Sequence, residues 1–208
     1  MAQPLSYLAL GDSYTIGESV PEAGRWPVQL AAALRERGVA VADPRIIATT
    51  GWSTDELSAA MDAAEPLGTW DLVSLLIGVN NQYRGRDVAN YVQEFAVLLE
   101  RAVALAGGRT DRVLALAIPD WGVTPFGQAS GRDTALIASE LDAYNAAASG
   151  QCAARGVAFV DIAPVSRQLG AHPDGIAADG LHPSAAMYAA WTLQALAVAL
   201  PRLRPTPP

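Results

Sequence analysis

Residues 71–77, Asp-Leu-Val-Ser-Leu-Leu-Ile, form a nearly continuous apolar run. Such a run is typical of a strand covered on both faces, as in a parallel sheet. Four more short apolar runs, at 5–10, 45–48, 113–118 and 157–161, alternate with segments of helical periodicity. The alternation predicts a five-stranded parallel sheet with right-handed crossovers, in a three-layer α/β/α sandwich.

Capping signals and apolar spacing predict the helices between these strands. Ser53 and Glu56 have the spacing of a capping box, and Ser184 is predicted to cap a last helix that ends at Pro201. Two segments lack a clear period and are predicted to be irregular, namely 119–132 and 164–183.

The length of 208 residues favours one domain, which we place at 1–200, followed by a proline-rich tail at 201–208. Apolar residues make up 51% of the chain and charged residues 17%, so a packed globule is expected. Cys152 is the only cysteine, which excludes an intrachain disulfide and a cysteine-based zinc site.

Charge and hydropathy narrow the possible partners. The net charge of −7 argues against binding a nucleic-acid backbone, which needs clustered Lys and Arg. No stretch reaches 18 unbroken apolar residues, so we expect no integral membrane contact. The first strand begins almost at once, without the basic and apolar regions of a signal peptide. A cytoplasmic protein is expected unless a signal has been removed.

Polar residues follow four of the predicted strands. The carboxyl ends of parallel strands share one edge of the sheet, where open α/β folds hold their ligands. Side chains that are distant in sequence are therefore expected to meet there. They are Ser13 after strand one, Gly51 after strand two, Asn80 and Asn81 after strand three, and Asp179 and His182 after strand five.

A serine hydroxyl becomes a good nucleophile when a base removes its proton, and the chain has only two histidines. His182 follows Asp179 by three residues in a tight turn, so the carboxylate can reach Nδ1 and leave Nε2 facing Ser13. His172 has no acid at that spacing and is the weaker candidate base. Asp161, at the end of strand five, is the alternative acid.

Ester chemistry also needs donors aimed at the carbonyl oxygen, where negative charge develops. The backbone N–H of Ser13, the backbone N–H of Gly51 and the side-chain amide of Asn80 are the candidates. Glycine allows a close backbone approach, and asparagine is a neutral donor that forms no ion pair with the base.

These motifs resemble the SGNH, or GDSL, hydrolase superfamily from about Leu5 to the helix after Ser184. Leu10–Tyr14 matches the first block of that family, Thr50–Thr54 resembles the second, Gly78–Asn80 matches the third and Asp179–Pro183 the fifth. The resemblance implies a flavodoxin-like sheet and ester hydrolysis through an acyl-enzyme on Ser13, with Asp179 and His182 completing the triad and no metal or cofactor. Ser13, Gly51 and Asn80 form the implied oxyanion hole.

One position departs from the family pattern. The third block usually ends in aspartate, where this chain has Asn81. That acid is not a triad member, so the chemistry should survive, but the hydrogen bonds that orient Asn80 are expected to change.

The favoured function is a serine esterase acting on a small-molecule ester, with a short acyl group preferred because no long apolar lid is evident. Two alternatives stay open: an acyltransferase with the same triad, and a non-catalytic flavodoxin-like module that binds a ligand at the sheet edge. Four aromatic residues could line an acyl or aryl pocket or cover the core, namely Trp52, Tyr83, Trp121 and Phe126.

Overall fold

The computed structural model describes residues 3–204. The strands are β1 (Tyr7–Gly11), β2 (Arg45–Ala48), β3 (Leu72–Leu76), β4 (Val113–Leu116) and β5 (Ala158–Val160). They form one five-stranded sheet in the order β2-β1-β3-β4-β5, and every neighbouring pair is parallel. The predicted α/β fold with a parallel sheet is confirmed.

Helices connect these strands. They are α1 (Ser13–Ile16), α2 (Trp26–Glu36), α3 (Thr54–Ala63), α4 (Val79–Tyr83), α5 (Val88–Leu105), α6 (Pro125–Ala129), α7 (Thr134–Arg155), α8 (Ala163–Gly170) and α9 (Ala185–Leu203). Within residues 3–204, none of them combines the length and the apolar character needed to cross a membrane.

The core lies on both faces of the sheet. Every residue of β1, β3 and β4 is buried. Successive side chains of a strand point to opposite faces, so both faces must be covered. Helix α2 packs on α9, and α5 packs on α3 and α7. Three tryptophans, Trp26, Trp121 and Trp191, are among the largest fully buried side chains.

The strand register brings the functional loops together. Gly11, the last residue of β1, pairs with Ala48 at the end of β2 and with Leu76 at the end of β3. These three neighbouring strands therefore end level with one another. The loops that follow them, which carry Ser13, Gly51 and Asn80, open at one edge of the sheet.

The irregular segments contain more helix than the sequence predicts. Helix α6 lies within the segment 119–132, where Pro125 occupies the first turn and the Thr124 hydroxyl accepts a hydrogen bond from the Gly127 N–H at 3.1 Å. Helix α8 begins at Ala163, one residue before the segment 164–183, and ends at Gly170. Helix α6 has only five residues, too few to show an apolar period, and its Thr124 cap stabilises it.

The last helix also differs from its prediction. We expected Pro201 to end it, but α9 continues to Leu203. A proline in the last turn removes a single backbone hydrogen bond, and the Arg204 N–H still donates to the Leu200 carbonyl at 3.2 Å. Of the predicted tail at 201–208, residues 201–203 belong to α9, and residues 205–208 lie outside the described residues.

Candidate active site

Ser13 is the first residue of the short helix α1. The Asp12 carboxylate caps this helix by accepting a hydrogen bond from the Tyr14 N–H at 3.0 Å. The first N–H groups of a helix have no partner within the helix, so the Ser13 N–H stays available for a ligand. The turn therefore presents a hydroxyl and a backbone donor together at the carboxyl end of β1.

Asp12 itself is fully buried beneath this turn. Its Oδ2 has no hydrogen-bond partner among residues 3–204. Burial raises the pKa of this carboxyl to about 7, although the Tyr14 N–H acts to lower the pKa. The proton is retained because a buried carboxylate with an unsatisfied oxygen is costly. Asp12 therefore caps the helix as a largely neutral acid below pH 7.

This raised pKa predicts a pH dependence of stability. Above the ordinary pKa of 3.8 the unfolded chain releases the proton that the folded state still holds, so stability falls until pH passes about 7. Asp12→Asn keeps an acceptor for Tyr14 and does not titrate. Between pH 5 and 8, we expect wild type to lose about 3 kcal/mol of unfolding free energy relative to this variant. Urea unfolding at each pH measures it, and parallel curves for the two proteins contradict it.

Asp179 and His182 form a hydrogen-bonded pair on the loop before α9. His182 Nδ1 lies 2.7 Å from Asp179 Oδ2, while Asp179 Oδ1 accepts the N–H groups of Leu181 and His182, each at 2.9 Å. Two backbone hydrogen bonds hold this loop. The Ala177 N–H donates to the His182 carbonyl, and the Phe126 N–H donates to the Gly180 carbonyl. The imidazole is therefore held by its own turn.

The charge on Asp179 determines the tautomer of His182. Partial burial acts to raise the pKa of Asp179, but hydrogen bonds from Ser19, Leu181 and His182 outweigh it and leave the pKa well below its usual range. An ionised carboxylate can only accept hydrogen bonds, so the proton of a neutral imidazole resides on Nδ1. Nε2 is then left with a lone pair, as a general base requires.

Ser13 and His182 line the same cavity at the sheet edge, and both are buried. The hydrogen bonds of residues 3–204 include none between the Ser13 hydroxyl and the imidazole. In free enzymes, catalytic hydrogen bonds are often long and tighten only when substrate binds. The structure thus brings together the serine, the imidazole and the carboxylate that the sequence indicated.

The weaker candidates lie elsewhere. Asp161 accepts a hydrogen bond from the Ala163 N–H at 3.1 Å, at the start of α8, and lines a different depression with Asp142 and Arg167. His172 is exposed before a 3-10 turn and is not among the residues that line the cavity with Ser13. The alternative acid and the alternative base are therefore separate from the candidate site.

Gly51 and Asn80 line the same cavity from the neighbouring loops. Gly51 adopts φ +89°, a conformation that favours glycine. Gly78, before α4, has φ +131°, and a Cβ there would lie 2.6 Å from the Tyr91 ring, so only glycine fits this close approach. One Nδ2 hydrogen of Asn80 goes to the Trp52 carbonyl at 2.9 Å, and the other remains for a ligand.

The sequence does not predict the contacts made by Arg84, which follows α4 directly. Its Nη2 donates to the Gly51 carbonyl at 2.7 Å, and its Nη1 donates to Glu56 Oε2 at 2.9 Å. Asn80 holds the next carbonyl of the same loop. Both candidate oxyanion loops are thus joined by residues of one short segment. No local pattern signals this, because the contact spans 33 positions of the chain.

The fully buried Asn81 takes part in a different contact from Asn80. Its Oδ1 accepts from the Thr54 N–H at 3.1 Å, and its Nδ2 donates to the Thr54 hydroxyl at 2.6 Å and to Glu94 Oε2 at 3.4 Å. An aspartate here would place a second carboxylate against Glu94, whereas the amide donates to it. The contact with Glu94 therefore explains why position 81 is asparagine. Asn80 is oriented instead by its hydrogen bond to the Trp52 carbonyl.

The cavity has a volume of about 240 Å³ and a largely apolar lining. Outside the cavity, Arg132 stacks over the Tyr83 ring, with its guanidinium carbon 4.5 Å from the ring centre. Of the four aromatic residues considered for the pocket, Tyr83, Trp121 and Phe126 line the cavity. Trp52 packs against the core instead. The apolar and aromatic lining consists of Tyr14, Val79, Tyr83, Trp121, Phe126 and Leu181.

A comparison with protein families identifies the chain. The model of the GDSL-like Lipase/Acylhydrolase family matches residues 9–190. The chain belongs to this family. It is accordingly a serine hydrolase that acts on ester bonds, as the first-block and fifth-block motifs indicated. No curated protein is similar enough in sequence to count as a match.

Solved structures of GDSL hydrolases share the fold. TesA superposes with a TM-score of 0.72 at 20% identity, over 95% of this chain and 99% of that one. The lipase/acylhydrolase from Enterococcus faecalis gives 0.68 at 18% identity, over 98% and 100% of the two chains. A mutant of Axe2, an acetyl-xylooligosaccharide esterase from Geobacillus, gives 0.68 at 16%, over 97% and 95%.

In the part of the chain that the structure describes, no three His, Cys, Asp or Glu side chains cluster closely enough to hold a metal ion. The polar groups of the cavity include the Ser13 hydroxyl, the His182 imidazole, the Asn80 amide and backbone N–H groups, which suit acyl chemistry.

Proposed function

We propose that the protein hydrolyses short-chain carboxylic esters through an acyl-enzyme on Ser13. The single observation that carries the proposal is the 2.7 Å contact between His182 and Asp179 beside the cavity that Ser13 also lines. It supplies an oriented base next to a hydroxyl, the arrangement that activates a serine.

In this mechanism the Ser13 hydroxyl oxygen attacks the ester carbonyl carbon while His182 Nε2 takes the hydroxyl proton. Asp179 holds the imidazole and stabilises the imidazolium that forms. When the tetrahedral intermediate collapses, the same proton passes to the leaving alcohol and the acyl group stays on Ser13. A water molecule, deprotonated by His182, then attacks the acyl carbon of the acyl-enzyme. As the second tetrahedral intermediate collapses, the bond to the Ser13 oxygen breaks, His182 returns the proton to that oxygen, and the acid is released.

The oxyanion of each tetrahedral intermediate would be held by three donors. The Ser13 N–H, the Gly51 N–H and the free Nδ2 hydrogen of Asn80 all belong to residues that line the cavity. Losing one such donor typically lowers the rate by about 10²- to 10³-fold. Arg84 and the Asn80–Trp52 contact hold the Gly51 loop in place before substrate arrives.

The size and lining of the cavity favour a small apolar acyl group. A volume of about 240 Å³ lies below the usual range for pockets that enclose drug-sized ligands. Aromatic side chains of Tyr83, Trp121 and Phe126 form its apolar wall. An acetyl to butyryl group fits such a space, whereas a long chain would extend into solvent and gain little from burial.

A series of p-nitrophenyl esters of rising chain length tests this function. We expect kcat/KM to be greatest for acetyl to butyryl esters and to fall at least about 10-fold for chains of twelve carbons or more, since the extra methylenes find no apolar surface. Ser13→Ala measured in parallel supplies the background rate. Equal rates for all chain lengths would contradict the short-acyl preference, and no rate above background would contradict hydrolysis itself.

A further inference from the structure

Ser19 has an unusual backbone conformation on the loop after α1. Its φ is +64°, and it is the only residue other than glycine with a positive φ between residues 3 and 204. Few non-glycine residues adopt this conformation, and serine gains nothing from it locally. Such residues persist where tertiary contacts hold them, and they cluster at functional sites.

The contact that holds Ser19 is with the candidate triad acid. The Ser19 hydroxyl donates to Asp179 Oδ2 at 2.6 Å, across 160 positions of the chain. The same oxygen faces His182 Nδ1 at 2.7 Å. Asp179 thus receives two side-chain donors on one oxygen and two backbone donors on the other.

We propose that Ser19 is a positioning residue for the triad acid, a role that rests on the proposed function. The backbone N–H groups of Leu181 and His182 fix Oδ1, but they leave Oδ2 free to move out of line with the imidazole. The Ser19 hydroxyl, which comes from the loop after α1, holds Oδ2 in place. The carboxylate is then held at both oxygens, with Nδ1–H pointing at a stationary acceptor.

Glu18, next to Ser19, links the same segment to another loop of the site. Glu18 accepts a hydrogen bond from the Thr50 hydroxyl, next to Gly51 in the second candidate loop. The segment 17–19 therefore joins the loop of the nucleophile to the loop of the acid and to a loop of the oxyanion donors. Ser19 is the member of this segment that touches the triad itself.

Two variants separate the hydroxyl from the backbone. Ser19→Gly removes the hydroxyl and accepts φ +64° readily, whereas Ser19→Ala removes the hydroxyl and leaves the backbone strained. If the hydroxyl positions Asp179, both variants lose about 10-fold in kcat for p-nitrophenyl acetate, because a hydrogen bond to a charged group is lost. KM should change less than about 2-fold, since Ser19 does not touch substrate.

The glycine variant gives the decisive comparison. A purely conformational role for Ser19 predicts wild-type kcat for Ser19→Gly and reduced kcat or a lower Tm for Ser19→Ala alone, and that result overturns the proposal. Equal losses in both variants, with Ser19→Gly keeping the wild-type Tm, support it.

A spectroscopic measurement separates this proposal from the proposed function. The Nδ1 proton of His182 should give a downfield proton resonance whose position changes in Ser19→Gly, because Oδ2 then has one donor fewer. This readout needs no turnover. If wild type and Ser13→Ala hydrolyse esters equally, the proposed function fails, while an unmoved resonance in Ser19→Gly refutes the positioning role by itself.

Discussion

Ser13→Ala is expected to remove ester hydrolysis, with kcat falling by at least about 10⁴-fold. In the proposed mechanism the hydroxyl oxygen forms the acyl-enzyme bond, and no other serine or threonine hydroxyl occupies the start of α1. The Ser13 N–H remains in the variant, so the donors for the oxyanion are kept. Only the covalent step is lost. Steady-state kinetics with p-nitrophenyl acetate measure the change.

Labelling gives an independent result for the same residue. A fluorophosphonate should modify wild type at Ser13, fail to modify heated protein, and fail to modify Ser13→Ala. Ser139→Ala is the matched control, because this serine is exposed on α7, away from the residues that line the cavity. It should keep full activity and labelling. Normal hydrolysis by Ser13→Ala would remove the basis of the proposed mechanism, and labelling at another residue would relocate the nucleophile.

His182→Ala is expected to lower kcat by about 10⁴-fold or more, because the serine then has no base to take its proton. The chain supplies its own control, since His172 is the only other histidine. His172→Ala should leave kcat and KM within about 2-fold of wild type, as that side chain is exposed and outside the cavity lining. Both substitutions remove an imidazole, so a difference in kcat between the two variants depends on where the imidazole lies in the structure.

Stability must be measured for both histidine variants. His182 is buried and bonded to Asp179, so its removal should also lower the Tm, whereas removal of the exposed His172 should not. Activity assays at a temperature well below either Tm remove this complication. Comparable activity losses in both variants would show that neither imidazole acts specifically, and the assignment of His182 as base would then be wrong.

Much of the fold could be predicted because it depends on strong local patterns. The apolar run at 71–77 and the shorter runs around it identify the parallel strands, and parallel strands place their carboxyl ends together. The residues after those strands could therefore be expected to meet before any contact was known. The division at residue 200 and the cytoplasmic location stay predictions.

The missed features depend on contacts between distant segments. Helices α1 and α4 have only four and five residues, too few to show a period. The Arg84–Gly51 contact and the positive φ of Ser19 arise from partners that lie 33 and 160 positions away. Glu94 similarly explains Asn81 only once α5 is seen beside α3. Sequence patterns record local preference, and these features are set by tertiary packing.

The location of Tyr83 on α4 has a consequence for altering substrate range. The same five-residue helix carries Asn80, and the Tyr83 ring also supports Arg132. Enlarging the pocket at Tyr83 would thus disturb the scaffold of an oxyanion donor. Phe126 contributes its ring from a separate helix, while its backbone makes the contact with Gly180. Engineering for bulkier acyl groups should therefore begin at Phe126, where a smaller side chain enlarges the cavity and leaves the backbone contact with Gly180 in place.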